Sequence, residues 1–454
     1  MNLMKKSLAV LLAACMLLTV LAGCGSNNAN STSDASANTT NTPDDTANES
    51  AKGEDNTSAE PTIITLWAYQ NDSWVAAYEE VIAAFEKEYP QYKVEMTLWP
   101  YGDFSDKVTT SLMPGAESAD VYLLWADWIY DALGTGVLSE VPESLAADLE
   151  SDYMPAAKTG FNYKGTYYGV PLESNCEYGG MVVNKHLFGD NGYTYPTTWE
   201  ELRQISGEVA VKNSDVMEMR GFDCIEWDAL LMNYLAMILQ QGGEYILEDG
   251  SCDFTTPEAI KAFEEIKSMV IDGENSLETI TDWATTWKPV FNGVSYMGSV
   301  GTWALANLEK NELVYGEDIE YVPVPQYGEE LRYAAETGWG LIVPEKAEQK
   351  DAGWALVEYW SSPEVLKQFN IACSQLPARE SIAQDEEFRA ASSEYEFVLD
   401  LLPHGEWIGP YDTTAMRYAI INTLISVCTT NDYASTEEAL QAMTDEINTT
   451  VMDR

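Results

Sequence analysis

The sequence predicts an α/β fold organised as two packed units, and three observations predict it. The chain has 454 residues, which exceeds the usual domain of about 100–200. Hydrophobic residues make up 46% and aromatic residues 11%, enough apolar surface for large cores. From Thr62 to Thr97 a β-rich run, a helical pattern and a second β-rich run follow directly, the signature of a βαβ unit with a parallel sheet.

The N-terminal segment reads as an address. Lys5 and Lys6 precede an apolar run from Leu8 to Val20, of signal-peptide length and too short to span a membrane as a helix. Leu21-Ala22-Gly23-Cys24 resembles the lipobox of bacterial lipoproteins, which implies cleavage after residue 23 and a diacylglyceryl group on the Cys24 sulfur. No later segment reaches about 18 uninterrupted apolar residues, so the lipid is the expected membrane attachment. Residues 25–60 hold no aromatic residue, Leu, Ile or Val, and are rich in Ser, Asn, Thr, Ala and Asp. Such a segment cannot bury enough surface to offset its chain entropy and reads as a polar tether, as on a Gram-positive type of cell surface.

The body opens with Thr62-Ile-Ile-Thr-Leu-Trp67, a strand. Asp72 or Ser73 is expected to cap a helix carrying Trp74, Tyr78, Val81, Ile82 and Phe85, closed by Pro90. Tyr92 to Thr97 and Asp120 to Trp125 are further strands, and Met181 to Lys185 and Gly338 to Val343 read likewise. Thr198-Trp199-Glu200-Glu201 fits a capping box, in which the Thr oxygen and the Glu carboxylate satisfy each other's backbone amides. Thr256-Pro257 and Ser362-Pro363 each place a cap before a proline at the first helical position. From Thr413 onward two helical patterns are split near Thr429–Asn431.

Charge and motif content exclude several functions. There are 24 Lys+Arg against 74 Asp+Glu, a net charge of −50, which repels a phosphate backbone. Nucleic-acid binding is excluded. Of seven cysteines, Cys15 and Cys24 belong to the leader; Cys176, Cys224, Cys252, Cys373 and Cys428 have no metal-knuckle spacing, and their number leaves disulfides and buried thiols both open. With two histidines, no Gly-x-Ser-x-Gly elbow, no Walker loop and no His-Glu-x-x-His, no catalytic site, metal or cofactor is expected. Carboxylate pairs of the glycosidase type will occur by chance among so many acids and carry no weight.

Fourteen tryptophans and 26 tyrosines stand out instead. Trp67, Trp125, Trp227, Trp303, Trp339 and Trp407 fall at expected strand ends or in loops beside Gly, Asp or Asn, where ligands of an α/β sheet bind. Aromatic faces stack on the C–H faces of sugar rings while nearby polar groups take the hydroxyls, a combination that suits an uncharged carbohydrate.

Several motifs then align in order. They are Ile64-Thr65-Leu66-Trp67 with Phe85 to Pro90, Ala119-Asp120-Val121 with Ala126-Asp127-Trp128, and Tyr168-Gly169-Val170-Pro171 with Val183-Asn184-Lys185 and Thr198 to Leu202. Phe291-Asn-Gly293 with Met297 to Ala304, Gly338-Trp339-Gly340, Ser361 to Glu364 and Leu376-Pro377-Ala378-Arg379 follow. The set resembles the extracellular solute-binding family of bacterial ABC importers, in the branch that includes maltose-binding protein. Two details depart from the family pattern: no Pro precedes Asp120 in Ser118-Ala119-Asp120, and Val182-Val183 stands where an aromatic pair is commoner.

The resemblance implies a two-lobed periplasmic-binding-protein-like fold with three interlobe crossings and hinge closure around a ligand in the cleft. By position, lobe one is 61–171 and 335–376, and lobe two 174–330 and 379–454. The crossings are expected at Pro171–Ser174, Arg332–Glu336 and Leu376–Arg379. The cleft candidates carried over are Trp67, Gln70, Asp127, Glu173, Asn175, Trp227, Trp303, Trp339, Arg379 and Trp407, with Arg379 able to serve instead as an interlobe salt bridge. The implied function is a monomeric, lipid-anchored receptor on the outer face of the cytoplasmic membrane. It would bind a neutral mono- or oligosaccharide and deliver it to an ABC permease, without catalysis. A polyamine or other cationic solute is the alternative ligand, since so negative a surface attracts cations and Trp-rich clefts suit amines. A surface glycoside hydrolase or an adhesin is the reading from another class.

Overall fold

The computed structural model describes residues 60–213, 216–282, 285–409, 413–430 and 432–450. The leader at 1–23, Cys24 and the tether up to residue 59 lie outside the described residues. None of the described helices is long and apolar enough to cross a membrane.

The chain begins with β1 (Thr62–Tyr69), α1 (Val75–Glu88) and β2 (Tyr92–Trp99), with β1 and β2 parallel as the pattern predicts. Neither Asp72 nor Ser73 caps α1: Trp74 occupies that position without a side-chain bond, and Asn71 closes the preceding turn by accepting from Ser73. After α2 (Tyr101–Ser111), β3 (Val121–Trp125) pairs parallel with β1 on its other side. α3 (Glu143–Asp152) and the two-residue β4 (Val170–Pro171) end this first pass.

The chain then crosses to a second sheet through β5 (Gly180–Asn184), α4 (Trp199–Val209), β6 (Val211–Asn213), β7 (Val216–Asp223), α5 (Trp227–Gln240), α6 (Pro257–Ile271), β8 (Ser295–Ser299) and β9 (Ile319–Pro323). The capping box at Thr198 is formed in full. The chain returns by β10 (Tyr333–Ala335) into β11 (Trp339–Ile342), then α7 (Lys350–Trp360) and α8 (Pro363–Cys373). Ser362 precedes α8 but offers no cap, because its hydroxyl donates to the Tyr359 carbonyl at 2.7 Å. Last come β12 (Gly405–Trp407), α9 (Thr413–Thr429) and α10 (Thr436–Thr450).

Two five-stranded sheets result, ordered β2-β1-β3-β11-β4 and β9-β5-β8-β7-β6. Alternation along β1 divides the first sheet's two faces: Ile64, Leu66 and Ala68 pack with Tyr78, Phe85, Trp360 and Phe369, while Trp67 packs on the opposite side with Phe104, Val108 and Tyr122. The second core joins Met181, Val183 and Phe222 to α5, α6, α9 and α10 through Leu235, Phe263, Ile420 and Met443. Cys176, Cys224, Cys373 and Cys428 form no disulfide.

The segments between the sheets run side by side. Ser174 N donates to Leu376 O at 2.9 Å, Glu173 bridges Pro377, and β10 pairs in parallel with β12. Arg379 is tied to Asp148 and, at 2.8 Å, to Asp152 of α3, and Lys367 of α8 pairs with Asp385 and Glu387. These ion pairs tie Arg379, Asp385 and Glu387 to the first sheet's helices, while Glu394 O accepts from Tyr315 and Phe397 stacks on the second sheet's Tyr321 at 5.6 Å.

Candidate functional site

Where the ends of both sheets face each other lies a cavity of about 1230 Å³, larger than the about 300–1,000 Å³ of ordinary small-molecule pockets. One wall comes from the first sheet and is aromatic. Trp339, at the start of β11, is its keystone: Tyr69 stacks on it with ring centres 4.6 Å apart, and Trp125, Trp128 and Trp74 meet it edge-on at 5.6, 5.5 and 6.0 Å. Tyr101 completes the box at 6.3 Å. Trp339 is only 5% exposed, so the neighbouring rings supply most of the surface that faces the cavity; Tyr101 is 47% exposed. Periodicity places these rings there: Tyr69 shares the face of Trp67 but sits two residues further along, past the covering helix.

The opposite wall comes from loops after the second sheet's strands and from α9. Trp227 follows β7 and opens α5, with its ring 4.5 Å from that of Tyr418. Trp303 follows β8 and is half-buried, and its indole Nε1 donates to Glu177 Oε2 at 2.7 Å. Gly301 makes that bond possible, since a Cβ there would stand 2.6 Å from the indole nitrogen and 3.1 Å from the carboxylate.

Between the walls lies the first crossing, which contributes Glu173, Ser174, Asn175 and Glu177 to the lining. Glu173 Oε1 accepts from Trp339 N at 3.1 Å, and Asn175 Nδ2 donates to Glu177 Oε1 at 3.1 Å. Gly338 has φ +91° and a Cβ there would meet the Glu173 side chain at 2.9 Å, so glycine is required on both counts. Burial pushes the Glu173 carboxyl up to about 8, with Glu177 adding to the rise and the Trp339 amide opposing it. Burial likewise lifts Glu177 to about 7, partly offset by the Trp303 bond.

Arg417 of α9 closes the site's charge network. It is 6% exposed and pairs with Asp228 at 2.5 Å and with Glu336 of the second crossing at 2.8 Å. Glu336 and Asp228 hold the guanidinium firmly protonated. Among the described residues no group of three His, Cys, Asp or Glu is placed to hold a metal ion.

Of the ten positions expected at the cleft, Asp127, Glu173, Asn175, Trp227, Trp303 and Trp339 line the cavity. Four expected positions lie elsewhere. Trp67 points to the far face of its sheet, against Trp99 and Tyr122. Gln70 is exposed, its backbone amide donating to Trp99 O. Arg379 is 1% exposed, bonded to α3 and stacked over Tyr153 at 4.4 Å, so its charge serves packing between segments. Trp407 is fixed in β12 opposite Ala335 with its ring 6.0 Å from that of Tyr130, and it is not among the residues that line the cavity.

The sequence reading missed Trp74, Tyr101, Trp128, Glu177, Asp228, Glu336 and Arg417 as lining residues. Trp74 counted there as part of a helix's buried face, and Glu336 only as the end of a crossing. Arg417, in a helix about 190 residues beyond its partner Asp228, gives no local signal.

Comparison with known proteins gives consistent relatives. The family described as bacterial extracellular solute-binding protein matches over residues 80–393. A maltotriose-binding protein of Pyrococcus abyssi is 22% identical over 338 residues, covering 72% of this chain and 68% of its own. A cyclic alpha-maltosyl-1,6-maltose binding protein from Arthrobacter globiformis superposes with a TM-score of 0.69 at 18% identity, over 86% of this chain and 98% of that one. The maltose-bound MalE3 of T. maritima gives 0.66 at 18% identity, over 85% and 99%. The fold is therefore the two-lobed α/β architecture of these structures, and the relatives are binding proteins rather than enzymes.

Proposed function

The chain belongs to the bacterial extracellular solute-binding family, and from that premise we propose that it is the receptor of an ABC importer for an oligosaccharide. The observation that carries the reading is the cavity itself: a box of aromatic rings on one wall, hydrogen-bonding carboxyls and an arginine on the other, in a volume with room for several sugar rings. Rings offer flat apolar faces to pyranose C–H groups, and Asp127, Glu177 and Arg417 supply polar partners for hydroxyls. The named relatives bind maltotriose, maltose and a cyclic maltosyl sugar, which supports an α-glucan-like or similarly sized ligand. With the solute held, closure of the two walls about the crossing segments would present it to a permease.

The receptor is placed outside the cytoplasmic membrane by this reading, held as a monomer by a lipid on Cys24 through the polar tether. Fractionation of cells expressing Cys24→Ser checks the anchor: the variant should leave the membrane fraction, and continued detergent-dependent extraction would refute it. Function is tested by following the melting of the purified chain against a panel of mono-, di- and oligosaccharides. Ligand at 100 times its dissociation constant should add about 2.7 kcal/mol of stability. If no saccharide raises the melting temperature at millimolar concentration, the carbohydrate reading fails.

A further inference from the structure

We propose that the solute carries a protonated amine, as an aminated sugar does, held by the acceptors of the first crossing at Glu173, Ser174, Asn175 and Glu177. This rests on the carbohydrate reading and names the charge of the ligand. The four side chains line one side of the cavity within five residues. Ser174 and Asn175 are 6% and 7% exposed, and Ser174 Oγ and Asn175 Oδ1 have no hydrogen-bond partner among the described residues. Buried polar atoms without partners are rare and costly, and these two border a ligand cavity.

Of the carboxyls beside them, Glu177 feels the charge of Arg417 but is not paired with it. Neither Glu173 nor Glu177 forms an ion pair among the described residues; their bonds are to the Trp339 amide, the Asn175 amide and the Trp303 indole. Arg417, the buried cation of the lining, is engaged by Asp228 and Glu336. The strip therefore offers the unpartnered Asn175 Oδ1, the Ser174 hydroxyl and two carboxyls without an ion pair. An ammonium complements it, with three donors for the Asn175 oxygen and the two carboxyls, which ionise as the cation arrives. Burial lifts both carboxyls, with Arg417 opposing the rise at Glu177, and an ammonium beside them would lower them again. The adjoining indoles and Tyr101 favour a cation over their faces as well.

The test compares two ligands that differ at the nitrogen, ammonium in one and neutral acetamide in the other. Glucosamine oligomers and their N-acetylated counterparts of equal length are titrated calorimetrically into the purified chain, with maltotriose and spermidine as further arms. A charge-assisted bond contributes about 1.5–3 kcal/mol, so the glucosamine oligomer should bind at least about tenfold more tightly than its acetylated form. Glu173→Gln and Glu177→Gln, confirmed folded by their melting curves, should each weaken glucosamine-oligomer binding more than acetylated-oligomer binding and so shrink that ratio. Equal or tighter binding of the acetylated oligomer or of maltotriose overturns the amine proposal and leaves the carbohydrate reading standing. Binding of spermidine with no saccharide binding at all overturns the carbohydrate reading and keeps the amine strip. Binding of none of the four overturns both.

Discussion

The two walls of the cleft are built on opposite principles. The first sheet presents rings that lean on one another: Trp339 touches Tyr69, Trp74, Tyr101, Trp125 and Trp128, and its wall is held by packing. The other wall is held by charge, with Arg417 clasping Asp228 and Glu336 and Trp303 tied by its nitrogen to Glu177. Packed rings make a platform whose shape is fixed before a ligand arrives. Ion pairs and single hydrogen bonds discriminate, because each has a defined donor and acceptor. A receptor that divides its cleft in this way gains affinity on one side and selectivity on the other.

The comparison breaks most visibly at Arg417. Arg417→Met leaves the buried Glu336 and the half-buried Asp228 without their cation and should cost about 3–5 kcal/mol in urea unfolding. Tyr101→Ala, on the exposed rim of the aromatic wall, should stay within about 0.5 kcal/mol of the parent. An unchanged midpoint for the Arg417 variant would mean the charged wall is not held by charge.

Trp303 sharpens the contrast next. Its ring is half-buried with its edge anchored, so Trp303→Ala should weaken ligand binding by about 1–3 kcal/mol, by analogy with stacking of other flat rings on aromatic side chains. Melting of the ligand-free chain should move little. Were Trp303 core instead, the cavity left by its loss would cost about 3–5 kcal/mol and affinity of the folded fraction would be unchanged.

The last effect is a slope in pH. The Glu173 carboxyl is raised from 4.5 to about 8, so between those values the folded chain keeps a proton that the unfolded chain has lost. Stability must therefore fall as pH rises from about 5 to about 8, by at most about 1.4 kcal/mol per pH unit from this group. Glu173→Gln has no proton to lose and should flatten that part of the profile. An identical pH dependence of melting in the variant would show that Glu173 ionises normally.

Local pattern was enough for the order of strands and helices, the βαβ opening and the capping box at Thr198, because each depends on residues within a few positions of one another. Strand ends and Gly-flanked loops also made Trp303 and Trp339 legible, whereas Glu173 and Asn175 were named through the family resemblance; all four line the cavity. Tertiary structure alone decided the rest. Trp67 and Tyr69 differ by one strand repeat, yet a helix covers the first and not the second. Arg379 and Arg417 are both buried arginines with two carboxylate partners, and no local feature separates them: one closes on α3 away from the ligand, the other on Asp228 and Glu336 beside it. A side chain's periodicity is written in its neighbours, but which charge it meets depends on segments hundreds of residues away, and that is settled only when the lobes are folded.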